Sequence, residues 1–138
     1  MMNNNCVLVT PNGEAIGYNV DFNNIKVAFG QCKEYLIISH RDHPFIKNLS
    51  NFANAPLCLC YDKDCENLNK DNEGNNDVIN DLMADYKYNG NCLILLCDEN
   101  QQLSPMPEET IKRVIGILEE YHGANLDSAI SLNSRGRN

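Results

Sequence analysis

Three short apolar runs constrain the fold of this 138-residue chain most strongly. They are residues 34–39, 57–61 and 92–97, and each has the length and near-continuous apolar character of a strand buried on both faces. Each run is followed by apolar residues at helical spacing. This alternation predicts an α/β or α+β fold, with a small mixed sheet that includes a parallel portion and three strand-helix units.

The three predicted helices have recognisable buried faces, and the first and third also have recognisable first turns. Asp42 is the expected N-cap of the first helix, with Pro44 in its first turn. Pro107 opens the third helix, and Gly123 is its expected stop. The apolar positions are Phe45, Ile46, Leu49, Phe52 and Ala53 in the first helix, Val78, Ile79, Leu82, Met83 and Tyr86 in the second, and Ile111, Val114, Ile115, Leu118 and Tyr121 in the third.

An antiparallel hairpin or meander is expected before these units. Residues 6–10 and 15–20 are β-prone and flank Asn12-Gly13, a pair that supplies the positive φ angles of a tight hairpin. Residues 25–29 read as a third strand, broken by Gly30. We expect one compact domain over residues 1–130 and a polar tail over 131–138.

Charge and cysteine content limit the kinds of partner and the cellular compartment that we expect for this protein. A net charge of −8 and a pI near 4.7 argue against direct binding of a nucleic-acid backbone, which needs clustered Lys and Arg. The seven cysteines are irregularly spaced, and no run approaches the length of a membrane span. The polar start of the sequence leads us to expect no secretory signal. We expect a cytoplasmic protein with reduced thiols, no membrane contact and no cofactor.

Polar residues follow each predicted strand and could carry chemistry. If the strands are parallel, their carboxyl ends meet at one edge of the sheet, where ligands of open α/β sheets bind. Carboxylates beside imidazoles can hold a metal ion and activate water, which suggests a small metal-dependent phosphoesterase or nucleotide hydrolase. The alternative is that polar residues end strands because loops are solvated. The residues are His40, Asp42, His43, Asp62, Asp64, Asp98 and Glu99, with His40, His43, Asp62 and Asp98 as the catalytic candidates.

Three further chemistries have weaker patterns. Imidazole and thiol donors for zinc are present, but their spacing departs from that of structural zinc sites. Residues 62–73 show half of an EF-hand spacing, with Asn67 where glycine is required. Cys32 and Cys97 are the candidate nucleophiles, although the acids after Cys97 would raise its pKa. The candidate zinc ligands are His40, His43, Cys58, Cys60 and Cys65.

Acidity is concentrated in residues 62–85. In the predicted second helix, three aspartates recur every four residues and would line one exposed stripe. Such a stripe is either a solvated face or a surface that meets a basic groove on another protein. The candidate partner-binding residues are Asp62, Asp64, Asp77, Asp81 and Asp85.

These observations leave three functional hypotheses. The first is a non-enzymatic acidic binding or inhibitor protein that contacts a host protein and blocks a basic nucleic-acid groove. Asparagine makes up about one residue in six, and small acidic, Asn-rich chains of this kind are common among viral accessory proteins. The second is the hydrolase, and the third is a structural subunit that forms a homo-oligomer.

Overall fold

A single six-stranded sheet organises the protein. The computed structural model describes residues 4–11, 14–30, 34–63, 79 and 90–120. The helical elements are a 3-10 helix, Ile25–Phe29, followed by α1, Pro44–Ala53, and α2, of which residues 108–120 are described. The strands are β1 (Cys6–Val9), β2 (Ala15–Tyr18), β3 (Tyr35–Ser39), β4 (Leu57–Asp62), β5 (Cys92–Cys97) and β6 (Leu103–Ser104).

The strand order is β2-β1-β5-β4-β3, with β6 pairing with the end of β5. Every one of these pairs is antiparallel. The predicted combination of a hairpin with strand-helix units is therefore confirmed in its α+β form, whereas the expected parallel portion is wrong. The reason is the path of α1: Cys58 in β4 pairs with Ser39, the last residue of β3, so the chain returns to the end of the sheet that it left.

The N-terminal hairpin is confirmed, but its predicted third strand is wrong. β1 and β2 pair from Cys6–Tyr18 to Val9–Ala15, and the Thr10 amide donates to the Glu14 carbonyl to close the ladder. The turn residues 12 and 13 lie outside the described residues. Residues 25–29 form a 3-10 helix instead of a strand. In this helix Ile25 and Ala28 are buried three positions apart, as a period of three residues per turn requires.

Apolar residues of the central strands divide between two cores, one on each face of the sheet. Helices α1 and α2 cover the first face, and Ile79 joins them there. The 3-10 helix and the residues around it cover the second face. In β5, Ile94 belongs to the first core and Leu93 and Leu95 to the second. The apolar runs of β4 and β5 are continuous because both faces of these strands are buried, as predicted. The same prediction for residues 34–39 is wrong, because β3 is the last strand in the order of the sheet and its Leu36 is 40% exposed.

The first turn of α1 differs from the prediction in its cap. His43, not Asp42, is the N-cap, and its Nδ1 accepts the Phe45 amide hydrogen at 3.1 Å. The Asp42 carboxylate accepts hydrogen bonds from Ser39 instead, which keeps it from the helix terminus. Pro44 occupies the first turn as predicted, and Asn54 ends the helix with φ 58°.

Helix α2 follows the predicted pattern over its described residues. Ile111, Val114 and Leu118 are buried in the first core, and Arg113 Nη1 donates to the Ala53 carbonyl at the end of α1. Within the described ranges, no helix is both long and apolar enough to cross a membrane. The expected stop at Gly123 and the predicted tail over 131–138 lie outside the described residues.

Candidate functional site

The polar residues after β3 and β5 lie at the same end of the sheet. Both strands are antiparallel to β4, which separates them, so they run in the same direction and their last residues meet at one end. His40, Asp42 and His43 are therefore on the same end as Asp98 and Glu99. The residues after β3 and β5 therefore lie at one end of the sheet, as predicted, although the strands are not paired in parallel as we expected.

Asp62 does not join this group. It ends β4 at the opposite end of the sheet, where it pairs with Tyr35. Asp62 lies five residue steps along β4 from Leu57, a distance of about 17 Å at the usual rise of an antiparallel strand. The prediction that Asp62 meets the residues after β3 and β5 is wrong because β4 runs in the other direction. Asp64 lies outside the described residues.

A polar cleft of about 330 Å³ opens between the loops that follow β3 and β5. Arg41 Nη2 donates to the carbonyl oxygen of Glu99 and so joins the two loops. Gln101 has a positive φ of 62°, which turns the second loop back toward β6. The cleft carries one guanidinium and two carboxylates, and its lining is Ser39, Arg41, Asp42, Glu99, Asn100 and Gln101.

The aspartates of this end hold the loops in shape. Asp42 Oδ2 accepts from the Ser39 hydroxyl at 3.1 Å and from the Ser39 amide at 3.4 Å. Asp98 Oδ1 accepts from the amides of Asn100 and Gln102 at 2.8 and 2.9 Å. Side chains that bond to main-chain amides two to four residues away stabilise turns. Asp42 and the catalytic candidate Asp98 thus each have a local structural role.

The two histidines differ in their surroundings. His43 Nδ1 must carry no proton, because it accepts the Phe45 amide hydrogen. The ring Nδ1 of His40 is buried and has no hydrogen-bond partner among the described residues. His40 lines a second cleft, also of about 330 Å³, with Ser50, Asn51, Asn54, Ala55 and Pro56. The sequence pattern did not indicate this cleft, since Ser50 and Asn54 belong to the end of α1.

Cys58, Cys60 and Cys97 lie in the second core, on the face covered by the 3-10 helix. Cys58 is hydrogen-bonded to the other two thiols, and its pKa is raised by its contact with Cys60 and by burial. Burial also raises the pKa of Cys97 to about 12, with smaller contributions from Cys58 and Asp98. Cys97 is therefore a protonated, unreactive thiol near neutral pH. Cys32 and Cys65 lie outside the described residues.

Metal coordination was the second chemistry that the sequence suggested for these side chains. Across the described ranges, no three His, Cys, Asp or Glu side chains are grouped in a way that could hold a metal ion. The described candidate zinc ligands are divided between two places. The imidazoles belong to the segment after β3, whereas Cys58 and Cys60 are strand residues buried against the 3-10 helix.

No protein family, no curated protein and no solved structure matches the chain. Over its described residues, the structure defines an α+β domain with an antiparallel sheet, helices α1 and α2 on one face and a 3-10 helix on the other. Its candidate site is the end of the sheet where the loops after β3 and β5 meet.

Proposed function

We propose that the protein is a non-enzymatic, acidic binding protein that acts by contact with another protein. The contact surface is the acidic segment of residues 62–85. This segment contains eight acids and two lysines, a net charge of −6 out of −8 for the chain. The acids are Asp62, Asp64, Glu66, Asp71, Glu73, Asp77, Asp81 and Asp85.

The observation that supports this proposal most directly is the burial of Ile79. It is the one described residue of the predicted second helix, and it is helical and fully buried against α1 and α2. On an α-helix, a position two residues from a buried one points about 160° away from it. That is the geometry which an outward acidic stripe at Asp77 and Asp81 needs. The aspartates themselves lie outside the described residues.

The candidate site gives a second, independent support. Asp42 and Asp98 accept hydrogen bonds from their own loops, and His43 caps α1. A general base or metal ligand in a hydrolase needs a geometry directed at the substrate. These three side chains are directed at the main chain and side chains of their neighbours, which favours a binding role over the hydrolase hypothesis.

In its most specific form, the partner is a host protein with a basic, nucleic-acid-binding groove, and the contact takes place in the cytoplasm. An acidic surface complements such a groove, speeds the encounter and fixes the orientation of the complex. This form corresponds to an inhibitor of the viral accessory type. It predicts a complex that weakens as the salt concentration rises, because screening reduces the attraction between exposed charges.

The test is a pair of charge-neutralised variants used as bait in a pull-down at low and high salt. The first carries Asp77→Asn, Asp81→Asn and Asp85→Asn. The matched control carries Glu108→Gln, Glu119→Gln and Glu120→Gln, three exposed acids of α2. We expect the first variant to lose the salt-sensitive partner and the control to keep it. Equal retention by both variants would refute the acidic surface as the binding site.

A turnover assay separates this proposal from the hydrolase hypothesis. Activity on a nucleoside triphosphate or an aryl phosphate with Mg²⁺ or Mn²⁺ is measured for the unmodified protein and for Asp98→Asn. A binding protein shows no turnover in either sample. Turnover that disappears with Asp98→Asn would support the hydrolase instead.

A further inference from the structure

The cleft between the loops after β3 and β5 has a polar lining that is partly buried. Its volume of about 330 Å³ lies within the range of small-molecule sites. Ser39 belongs to the lining and is only 3% exposed. Its hydroxyl donates to Asp42 Oδ2 and accepts from the Arg41 amide. These hydrogen bonds fix the wall of the cleft on the side of β3.

The Arg41 guanidinium is held in this cleft but its charge is not neutralised by a carboxylate. Nη2 donates to the Glu99 carbonyl oxygen, which anchors the group across loops 58 residues apart. No acid among the described residues forms an ion pair with it. A guanidinium has five N–H donors, so those of Nε and Nη1 remain for another acceptor. A carboxylate suits them, because it can accept two parallel hydrogen bonds from a guanidinium.

Two carboxylates in the same cleft have oxygen atoms that accept no hydrogen bond. Asp42 accepts from Ser39 through Oδ2 alone, so its Oδ1 has no partner within the described part of the chain. The Glu99 carboxylate has none there either, since the contact with Arg41 uses the main-chain oxygen of Glu99. Both residues are exposed. Their oxygens are therefore accessible to an ammonium or guanidinium group, which forms strong charge-assisted hydrogen bonds with carboxylates.

The charges of the cleft determine those of a complementary ligand. One guanidinium and two carboxylates are matched by one anionic and two cationic groups, which is the charge pattern of a free amino acid with a basic side chain. We propose that the cleft binds such an amino acid, with its carboxylate on Arg41 and its two cationic groups on Asp42 and Glu99. Arginine is the expected ligand, because its guanidinium can form two parallel hydrogen bonds with one carboxylate.

The loop after β5 is already shaped without a ligand. Asp98 Oδ1 accepts from the amides of Asn100 and Gln102 at 2.8 and 2.9 Å, and Gln101 has a φ of 62°. A positive φ is uncommon outside glycine, and residues held in such conformations cluster at ligand sites. A preformed loop lowers the cost of ordering on binding. Asn100 and Gln101 also line the cleft, where their amides can donate to or accept from the ligand.

This site is separate from the proposed protein-binding surface. Asp62, where the acidic segment begins, lies at the opposite end of the sheet. The amino-acid site can therefore exist whether or not the acidic segment binds a protein, and each is tested without the other. Binding is expected to be weak and to decrease as salt is added, because ion pairs between exposed groups contribute little and are screened.

The experiment is an NMR titration of the ¹⁵N-labelled protein with L-arginine and two analogues. Agmatine lacks the carboxylate, and Nα-acetyl-L-arginine lacks the α-ammonium. We expect saturable shifts of the Asp42, Asn100 and Gln101 amides, and an affinity for L-arginine roughly fivefold above that for either analogue. General attraction of cations to an acidic chain would instead favour agmatine, which has the greater positive charge. That order of affinities, or no saturable shift in the cleft, would overturn the proposal.

Three variants assign the groups of the ligand to residues of the cleft. Arg41→Gln should abolish the preference for L-arginine over agmatine, because only the native side chain binds the carboxylate. Glu99→Gln should weaken both ligands and keep their ratio, and it leaves the fold intact because that carboxylate makes no hydrogen bond. Lys112→Gln is the control, since it removes an exposed cation of α2 and should change neither affinity. A preference for L-arginine that survives Arg41→Gln would refute the assignment.

Discussion

Asn5 pairs its side-chain amide with the main chain of Val20 in both directions. Its Nδ2 donates to the Val20 carbonyl at 2.9 Å, and its Oδ1 accepts the Val20 amide hydrogen at 2.9 Å. The main chain of Asn5 is bonded as well: its amide donates to Tyr18 and its carbonyl accepts from Met106. One residue thus connects the end of β2, the start of β1 and the segment before α2.

These hydrogen bonds predict that removal of the Asn5 side-chain amide lowers the stability of the protein substantially. Asn5→Ala removes both side-chain bonds and leaves two main-chain groups of Val20 without partners, at a cost of roughly 1–3 kcal/mol each where they are buried. Chemical denaturation should show a lower free energy of unfolding. Asn23→Ala is the control, because Asn23 has an exposed side chain in the same polar segment. Equal stability of the two variants would show that the Asn5 amide is not a structural link.

The cap of α1 predicts a graded series at His43. His43→Ala removes the acceptor for the Phe45 amide and should lower stability by about 1 kcal/mol. His43→Asp and His43→Asn keep an acceptor at the N-cap and should retain most of the stability that His43→Ala loses. Thermal unfolding followed by circular dichroism measures the series. If the Asp and Asn variants lose as much as the Ala variant, the imidazole has a role other than capping.

Burial on both faces of β5 predicts that neighbouring residues are equally sensitive. Ile94 packs under α1 and α2, whereas Leu95 packs under the 3-10 helix. Truncating either one to Ala should cost roughly 2–5 kcal/mol, because each leaves a cavity in a closed core. Leu36→Ala, on the partly exposed edge, should cost much less. A strand with one solvated face would instead show a high cost at only one of the two β5 positions.

The same two-face burial explains what could be read from the sequence and what could not. A run such as Cys92–Cys97 shows that both faces of a strand are covered, so the buried central strands β4 and β5 were predictable. The direction of the strands was not predictable, because a strand that helices cover has the same continuous apolar run in a parallel and in an antiparallel sheet. Direction depends on whether α1 crosses the sheet or returns, and that is decided by packing between residues far apart in sequence.

The other differences between the predicted and the observed structure arise where a short stretch of sequence is compatible with more than one local structure or contact. Residues 25–29 contain enough apolar positions for a strand or for a 3-10 helix, and the need to cover the second core selects the helix. Asp42 is a better N-cap than His43 by type, but the Ser39 hydroxyl offers it a nearer partner. Arg41 was not singled out, because its contact with Glu99 joins loops 58 residues apart.

The buried thiols predict a loss of stability at alkaline pH. Burial raises the pKa of Cys6 from 9.0 to about 12, partly offset by a main-chain hydrogen bond from Val20. A thiol whose pKa is raised on folding stabilises the protein fully below its unfolded pKa, and this contribution is lost as the pH rises toward the folded pKa. The free energy of unfolding should therefore fall between about pH 9 and pH 12. Cys6→Ala lowers stability at neutral pH by removing packing, but it should flatten the alkaline decline. A decline of unchanged slope in that variant would show that Cys6 does not titrate on unfolding.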